Sequence, residues 1–87
     1  MIIEEVFTIQ NRGVVVTGKI QNGSLKLNEI IKITGDSFEK KATIIGFNVS
    51  DKIMGIMEEG VNAGILLKGI DKSEIEKGYY LTNNPQN

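Results

Sequence analysis

The sequence predicts an all-β domain, either a sandwich or a barrel. Three observations carry this reading. Ten glycines and a single proline punctuate short apolar runs rich in Ile and Val, a pattern that suits closely spaced strands joined by turns. Phe7 and Ile9 alternate with Thr8 and Gln10, the period-2 signature of a strand with one buried face. Asn11-Arg12-Gly13 and Asn22-Gly23 are turn signals between apolar runs.

The strands follow in order. We expect them at residues 4–10, 14–21, 29–34, 40–49, 63–69 and 78–82. In the first, the alternation makes Phe7 a core side chain. Asn28 precedes the third strand, where a turn with positive φ is expected and Asn is the best substitute for Gly. Residues 50–60, SDKIMGIMEEG, break the strand pattern. Ile53, Met54, Ile56 and Met57 have a spacing that suits one helical turn, but Gly55 argues against a long helix. This stretch reads as a connecting loop that tucks apolar side chains over the domain. The alternative is a docking loop, because Met adapts to varied partners. Residues 71–77, DKSEIEK, read as one capped helical turn, with Asp71 and Glu74 forming a capping box and Gly78 ending it. We assign 1–82 to a single domain and 83–87, Asn-Asn-Pro-Gln-Asn, to a polar tail.

The stretch Arg12–Lys19, RGVVVTGK, nearly spells a phosphate-binding loop, G-x-x-x-x-G-K-[S/T]. The residue that should carry a hydroxyl for Mg²⁺ is Ile20. The interior, Val14-Val15-Val16-Thr17, favours an extended strand over a tight cradle. No long helix-forming segment follows to supply a dipole for phosphate. A strand is the better reading, and GTP and ATP are not expected to bind.

Composition excludes several classes of function. With 87 residues the chain makes one domain. Its net charge of −1 provides no bulk attraction to nucleic acid, so any RNA contact has to be local. It has no Cys and no His. That removes disulfides, thiol nucleophiles, the commonest general base and the commonest metal ligand. No apolar run approaches the roughly 18 residues a membrane span needs, and MIIEEVF does not read as a signal peptide. A cytoplasmic protein without cofactor or metal is expected.

Two blocks carry a resemblance. Val6 to Gly35, VFTIQNRGVVVTGKIQNGSLKLNEIIKITG, resembles the opening of the second domain of elongation factor Tu and related translational GTPases, V-F-x-I-x-G-R-G-x-V-V-T-G-R followed by G-x-[IL]-x-x-G-[DE]-x-[IV]-x-I. Gly64 to Leu81, GILLKGIDKSEIEKGYYL, is similar to the family's G-x-L-L-R-G-I-x-x-x-[DE]-I-x-[RK]-G-x-V-L. The resemblance implies a closed antiparallel barrel of six or seven strands, a topology that removes exposed sheet edges. In the family a separate preceding domain binds and hydrolyses GTP. This sequence opens at the barrel's first strand, so no GTP hydrolysis is expected of it.

The resemblance also implies site residues. In the family this domain helps hold the aminoacylated 3′ end of tRNA. Glu4, Glu5 and Phe7 match an acidic-acidic-x-Phe segment bordering the amino-acid pocket, and Thr17 matches a nearby Thr. Asn62 matches the Asn of A-G-[DE]-N-V-G, within EEGVNAG here. Asn48 stands where the family carries a Glu that contacts the terminal adenosine. An Asn can pair with a base edge or ribose hydroxyl but lacks the charged acceptor. The Met-Phe that follows in the family is Val49-Ser50 here, a thinner wall for a base.

The leading expectation is a non-catalytic binding module. It would act in translation through RNA, such as a tRNA 3′ end, or through a protein such as a translational GTPase. The alternative is a protein-interaction module unrelated to translation that reuses the barrel as a scaffold. The acidic pairs Glu4-Glu5 and Glu58-Glu59 read as surface charge, as do the lysines, of which only Lys40-Lys41 are adjacent.

Overall fold

The structure is a computed structural model that describes residues 1–21, 24–48, 56–57 and 60–83, with residues 48, 56 and 57 described by their backbone. Among the described residues there are eight strands: β1 (Glu5–Ile9), β2 (Gly13–Lys19), β3 (Leu25–Lys26), β4 (Ile30–Gly35), β5 (Phe38–Asn48), β6 (Ile56–Met57), β7 (Asn62–Lys68) and β8 (Tyr80–Thr82). Six of them form one antiparallel sheet in the order β1-β2-β7-β5-β4-β8, and β3 pairs with β6. The six expected strands are all there, with boundaries within two residues of expectation. The seventh and eighth, β3 and β6, are two residues each, too short to leave a period in the sequence. Residues 50–60 are therefore not loop throughout: Ile56 and Met57 pair with Lys26 and Leu25.

Gly13–Lys19 is a strand paired on both sides, with β1 and with β7. Its backbone is committed to two ladders, as the β-branched run dictates.

The sheet's end strands, β1 and β8, are not joined as a ladder. The residues before β1 approach β8 instead. The Ile3 N–H donates to Tyr79 O at 2.8 Å, the Gly78 N–H to Ile3 O at 2.8 Å, and the Leu81 N–H to Met1 O at 2.8 Å. An isolated bridge joins Ile2 to Tyr80. Gly18 makes this crossing possible: a Cβ there would sit 2.4 Å from the Ile2 carbonyl oxygen. Only a residue without a side chain lets the backbones come so close.

The core is the inward face of this sheet. Val16, Ile33, Ile44, Ile65 and Leu67 are fully inaccessible to solvent, and Ile3, Ile31 and Leu81 nearly so. No polar or charged residue is buried among the described residues. Inward and outward positions alternate strictly along β4, where Ile31 and Ile33 are buried between Ile30, Lys32 and Thr34.

Two places depart from simple alternation. In β5, Ile44 pairs with Leu67 and Gly46 with Leu66, so Ile45 is an extra residue in a β-bulge. A bulge resets the period by one, and both Ile44 and Phe47 are thereby buried. In β1 the faces are reversed from expectation. Phe7 is 42% and Ile9 39% exposed, and Val6 is the residue packed against the core. A period of two tells which residues share a face but not which face is inside.

Asn28 has φ +69°, as the turn before β4 requires, and its N–H donates to Ile44 O at 2.7 Å. The capped turn is a 3₁₀ turn, Lys72–Glu74, with the capping box of Asp71 and Glu74 complete. It is shorter than expected: Ile75 is already extended, and Gly78, at φ +98°, lies beyond it on the way into β8.

Candidate binding surface

The strands β1, β2, β7 and β5 lie side by side, and their register brings the candidate residues into rungs. One rung runs Glu5, Thr17, Gly64, Asn48. Next to it, two residues along each strand, runs Phe7, Val15, Leu66, Gly46. Directly opposed residues of antiparallel strands share a face, and the exposure of Phe7 marks these rungs as outward. Asn62, exposed, pairs with Lys19 two residues from Gly64 and continues the same face. Glu4 lies just before β1, exposed, with its N–H donating to Thr17 O at 2.7 Å. Glu5, Phe7, Thr17 and Asn62, far apart in sequence, thus fall on one outer surface, and the Asn48 backbone closes the rung that holds two of them. Ile53 and Met54 lie outside the described residues. Ile56 and Met57 form β6, opposite β3, in a separate sheet from these rungs.

The Phe7–Val15–Leu66–Gly46 rung of this outer face is apolar. Val15 and Leu66 are 4% and 8% exposed, yet neither belongs to the inner core cluster. Their burial comes from the outside: each packs among neighbours on the outward surface. A cleft of about 190 Å³ opens there. Ile9, Val15 and Leu66 line it together with Gly46 and Gly64, and Phe47 is reached where the two glycines carry no side chain. Arg12 also lines it. A Cβ added at Gly46 would meet Leu66 at 3.5 Å, an ordinary contact, so the position has room for a methyl group, which would narrow the cleft.

Sequence reasoning missed the cleft residues Ile9, Val15, Gly46 and Leu66, although a signal was present. Val14-Val15-Val16 and Ile65-Leu66-Leu67 are continuous apolar runs, which mark strands covered on both faces. The two runs pair directly, Val14 with Leu67, Val15 with Leu66 and Val16 with Ile65. Their middle residues therefore meet on the outer side.

The 3₁₀ turn closes another part of the surface. Lys40 Nζ donates to Glu74 Oε2 at 2.8 Å and Oε1 at 3.0 Å, tying the turn to β5. The Lys40 ammonium, together with the Asp71 N–H, holds the Glu74 carboxyl below its usual range. Hydrogen bonds from the Ser73 hydroxyl and N–H do the same for Asp71. These groups cap and fasten the turn. Among the described residues no cluster of three or more acidic side chains is arranged to hold a metal, and no helix is long and apolar enough to cross a membrane.

The fold is thus an all-β antiparallel domain with an apolar cleft on its outer face. Comparison with known families refines this. Residues 13–82 match the family described as elongation factor Tu domain 2. The match covers well over half of the 87 residues, and the chain belongs to that family. β1, with Glu5 and Phe7, precedes the matched span and joins it through its ladder to β2.

Proposed function

We propose that this chain is a cytoplasmic, non-catalytic binding module linked to translation, and that its sheet curls into a closed barrel through Met1–Ile3, the segment hydrogen-bonded to residues around β8. The observation that carries the functional reading is the cleft beside the Glu5–Thr17–Gly64–Asn48 rung. It combines an apolar slot with Arg12 in its lining and Glu5 and Thr17 on the adjoining rung, an arrangement suited to taking a flat ring and reading its edge. A terminal base of RNA, such as a tRNA 3′ end, fits this description. Family membership supports the same ligand class. The absence of His and Cys from the sequence supports a role without catalysis, and β2 in place of a phosphate loop supports a role without nucleotide.

A protein partner is the second reading. Phe7 and Ile9 stand exposed at the border of the cleft, and an apolar patch of this kind also suits a protein contact. Recovery of partners from cell lysate, with and without RNase, separates the two. RNase-sensitive recovery of tRNA or ribosomal material, lost in Ile9→Asp, is the expected result. RNase-resistant recovery of one protein points to the second reading. Unchanged recovery by Ile9→Asp and Gly46→Ala overturns the cleft as the site. Calorimetry with Mg²⁺-GTP or Mg²⁺-ATP is expected to give no heat of binding.

A further inference from the structure

The opposite stretch of the same sheet has a different outer face. Along β8, β4 and β5 the outward rungs run Tyr80, Thr34, Glu39, then Thr82, Lys32, Lys41, then, on β4, β5 and β7, Ile30, Thr43, Lys68. Lys32 and Lys41 are directly opposed. Like charges in that relation destabilise a sheet, and opposite charges are the stabilising choice. Lys68, opposite Thr43, is a diagonal neighbour of Lys41, at the roughly 7–8 Å that separates such positions. Glu39 is the acidic residue on these rungs, and it is paired with Lys32 at 3.4 Å. Among the described residues Lys41 and Lys68, both exposed, have no carboxylate within salt-bridge distance. A chain of net charge −1 thus gathers three lysines on neighbouring rungs of this face, two of them without a carboxylate partner among the described residues. Beside them stands Tyr80, 53% exposed, an aromatic ring that the core does not need.

We propose that this face, on β8, β4, β5 and β7, binds the phosphate backbone of single-stranded RNA, with Lys32, Lys41 and Lys68 against phosphates and Tyr80 stacking on a base. Charge complementarity selects a polyanion, and the exposed ring favours one with bases over an acidic peptide or a lipid headgroup. The interleaved Thr82 and Thr43 hydroxyls are donors suited to phosphate oxygens. The surface is distinct from the apolar cleft: the cleft takes a chain end, whereas this face holds a length of strand. The inference rests on the reading of the chain as an RNA-binding module.

The test is fluorescence anisotropy with a short labelled oligouridine at several salt concentrations. Lys41→Glu with Lys68→Glu is expected to weaken binding about tenfold or more. The same pair should make the log–log salt slope shallower by roughly 1.4, since each single-strand phosphate contact contributes about 0.7. Tyr80→Ala should weaken binding without changing the slope. Lys77→Glu, on an exposed residue beyond the 3₁₀ turn, should change neither. Lys41→Glu places a carboxylate opposite Lys32, so loss of binding by unfolding is not expected, and circular dichroism checks it. If wild type binds the RNA and the double variant keeps its affinity and slope, this proposal is overturned and the RNA reading survives. If wild type binds no RNA, the RNA reading fails and this proposal with it. Capture of polyglutamate or anionic phospholipid vesicles in preference to RNA assigns the face to another anion and also overturns it.

Discussion

Two outer faces of one sheet differ in chemistry although they share one core. On β1, β2 and β7 the outward positions include Phe7, Ile9, Val15 and Leu66, of which the last three line a cleft. On β8, β4 and β5 they include Tyr80, Thr82, Ile30, Lys32, Lys41 and Thr43, a mixed face on which basic groups outnumber the one acidic residue, Glu39. The inward positions of both halves are the same aliphatic mixture, Val16, Ile65 and Leu67 on one side and Ile31, Ile33 and Ile44 on the other. Folding accounts for the inner face in both halves. It does not account for the buried outward pair Val15 and Leu66 in one half, or for lysine opposite lysine beside the exposed Ile30 and Tyr80 in the other. β5 belongs to both halves, and its bulge at Ile45 divides the basic stretch from the stretch that borders the cleft.

The largest effect that tests this comparison separates inward from outward burial. Leu67→Ala should cost about 2–5 kcal/mol, the range for a core truncation, because Leu67 is fully buried in the inner cluster. Leu66→Ala should cost clearly less, roughly 1–2 kcal/mol, because the neighbouring Leu66 is buried outside that cluster. Urea unfolding of both variants measures the gap. Equal losses would mean that the outer apolar strip is a second core and not a binding surface.

Next comes a pair of glycines. Gly18→Ala should destabilise by about 1–3 kcal/mol, since its Cβ has only 2.4 Å to the Ile2 carbonyl oxygen. Gly46→Ala should fall within about 0.5 kcal/mol of wild type, since its Cβ meets Leu66 at ordinary contact. The second variant should nonetheless weaken partner recovery, because its methyl group narrows the cleft. Thermal melts and the lysate experiment together separate architecture from function at these two positions.

Ile9→Asp should cost less stability than Gly18→Ala, staying within about 1 kcal/mol of wild type, because Ile9 is 39% exposed. A melt that collapses would mean that Ile9 is structural cover.

The smallest effect concerns acid. Asp71 and Glu74 have folded carboxyls held below their usual values, chiefly by Ser73 and Lys40 respectively. Groups of this sign contribute stability at pH above their ordinary values and lose it as pH falls through their lowered folded values. The melting temperature of wild type should therefore fall more than that of Glu74→Gln as pH drops below about 4.5. The reverse order would contradict the capping and ion-pair assignment.

Much of the fold was legible in the sequence because it is set by local rules. Val14–Thr17 could only be a strand, Asn28 stood where a positive φ was wanted, and Asp71 with Glu74 spelled a cap. What was hidden depends on relations between distant segments. The face presented by Phe7 depends on which side Val16 and Ile65 close over. The bulge at Ile45 is set by pairing with β7, and β3 with β6 exist only because the two meet. The same holds for the site. Glu5, Thr17 and Asn48 were legible through family resemblance, but the rung that assembles them is a product of register. The cleft itself is defined partly by what Gly46 and Gly64 lack, and no single position announces that. The basic face was equally invisible, since Lys32, Lys41 and Lys68 are scattered until β4, β5 and β7 align.

The most direct test of the two-faced account is an NMR titration of the labelled chain with a short single-stranded RNA that has a free 3′ end. The account predicts shift changes in two groups, the amides around Val15, Gly46 and Leu66 and those around Lys32, Lys41 and Lys68, with the exposed residues beyond the 3₁₀ turn, Glu76 to Gly78, unmoved. Changes confined to Glu76–Gly78, or no changes at all at saturating RNA, would contradict it.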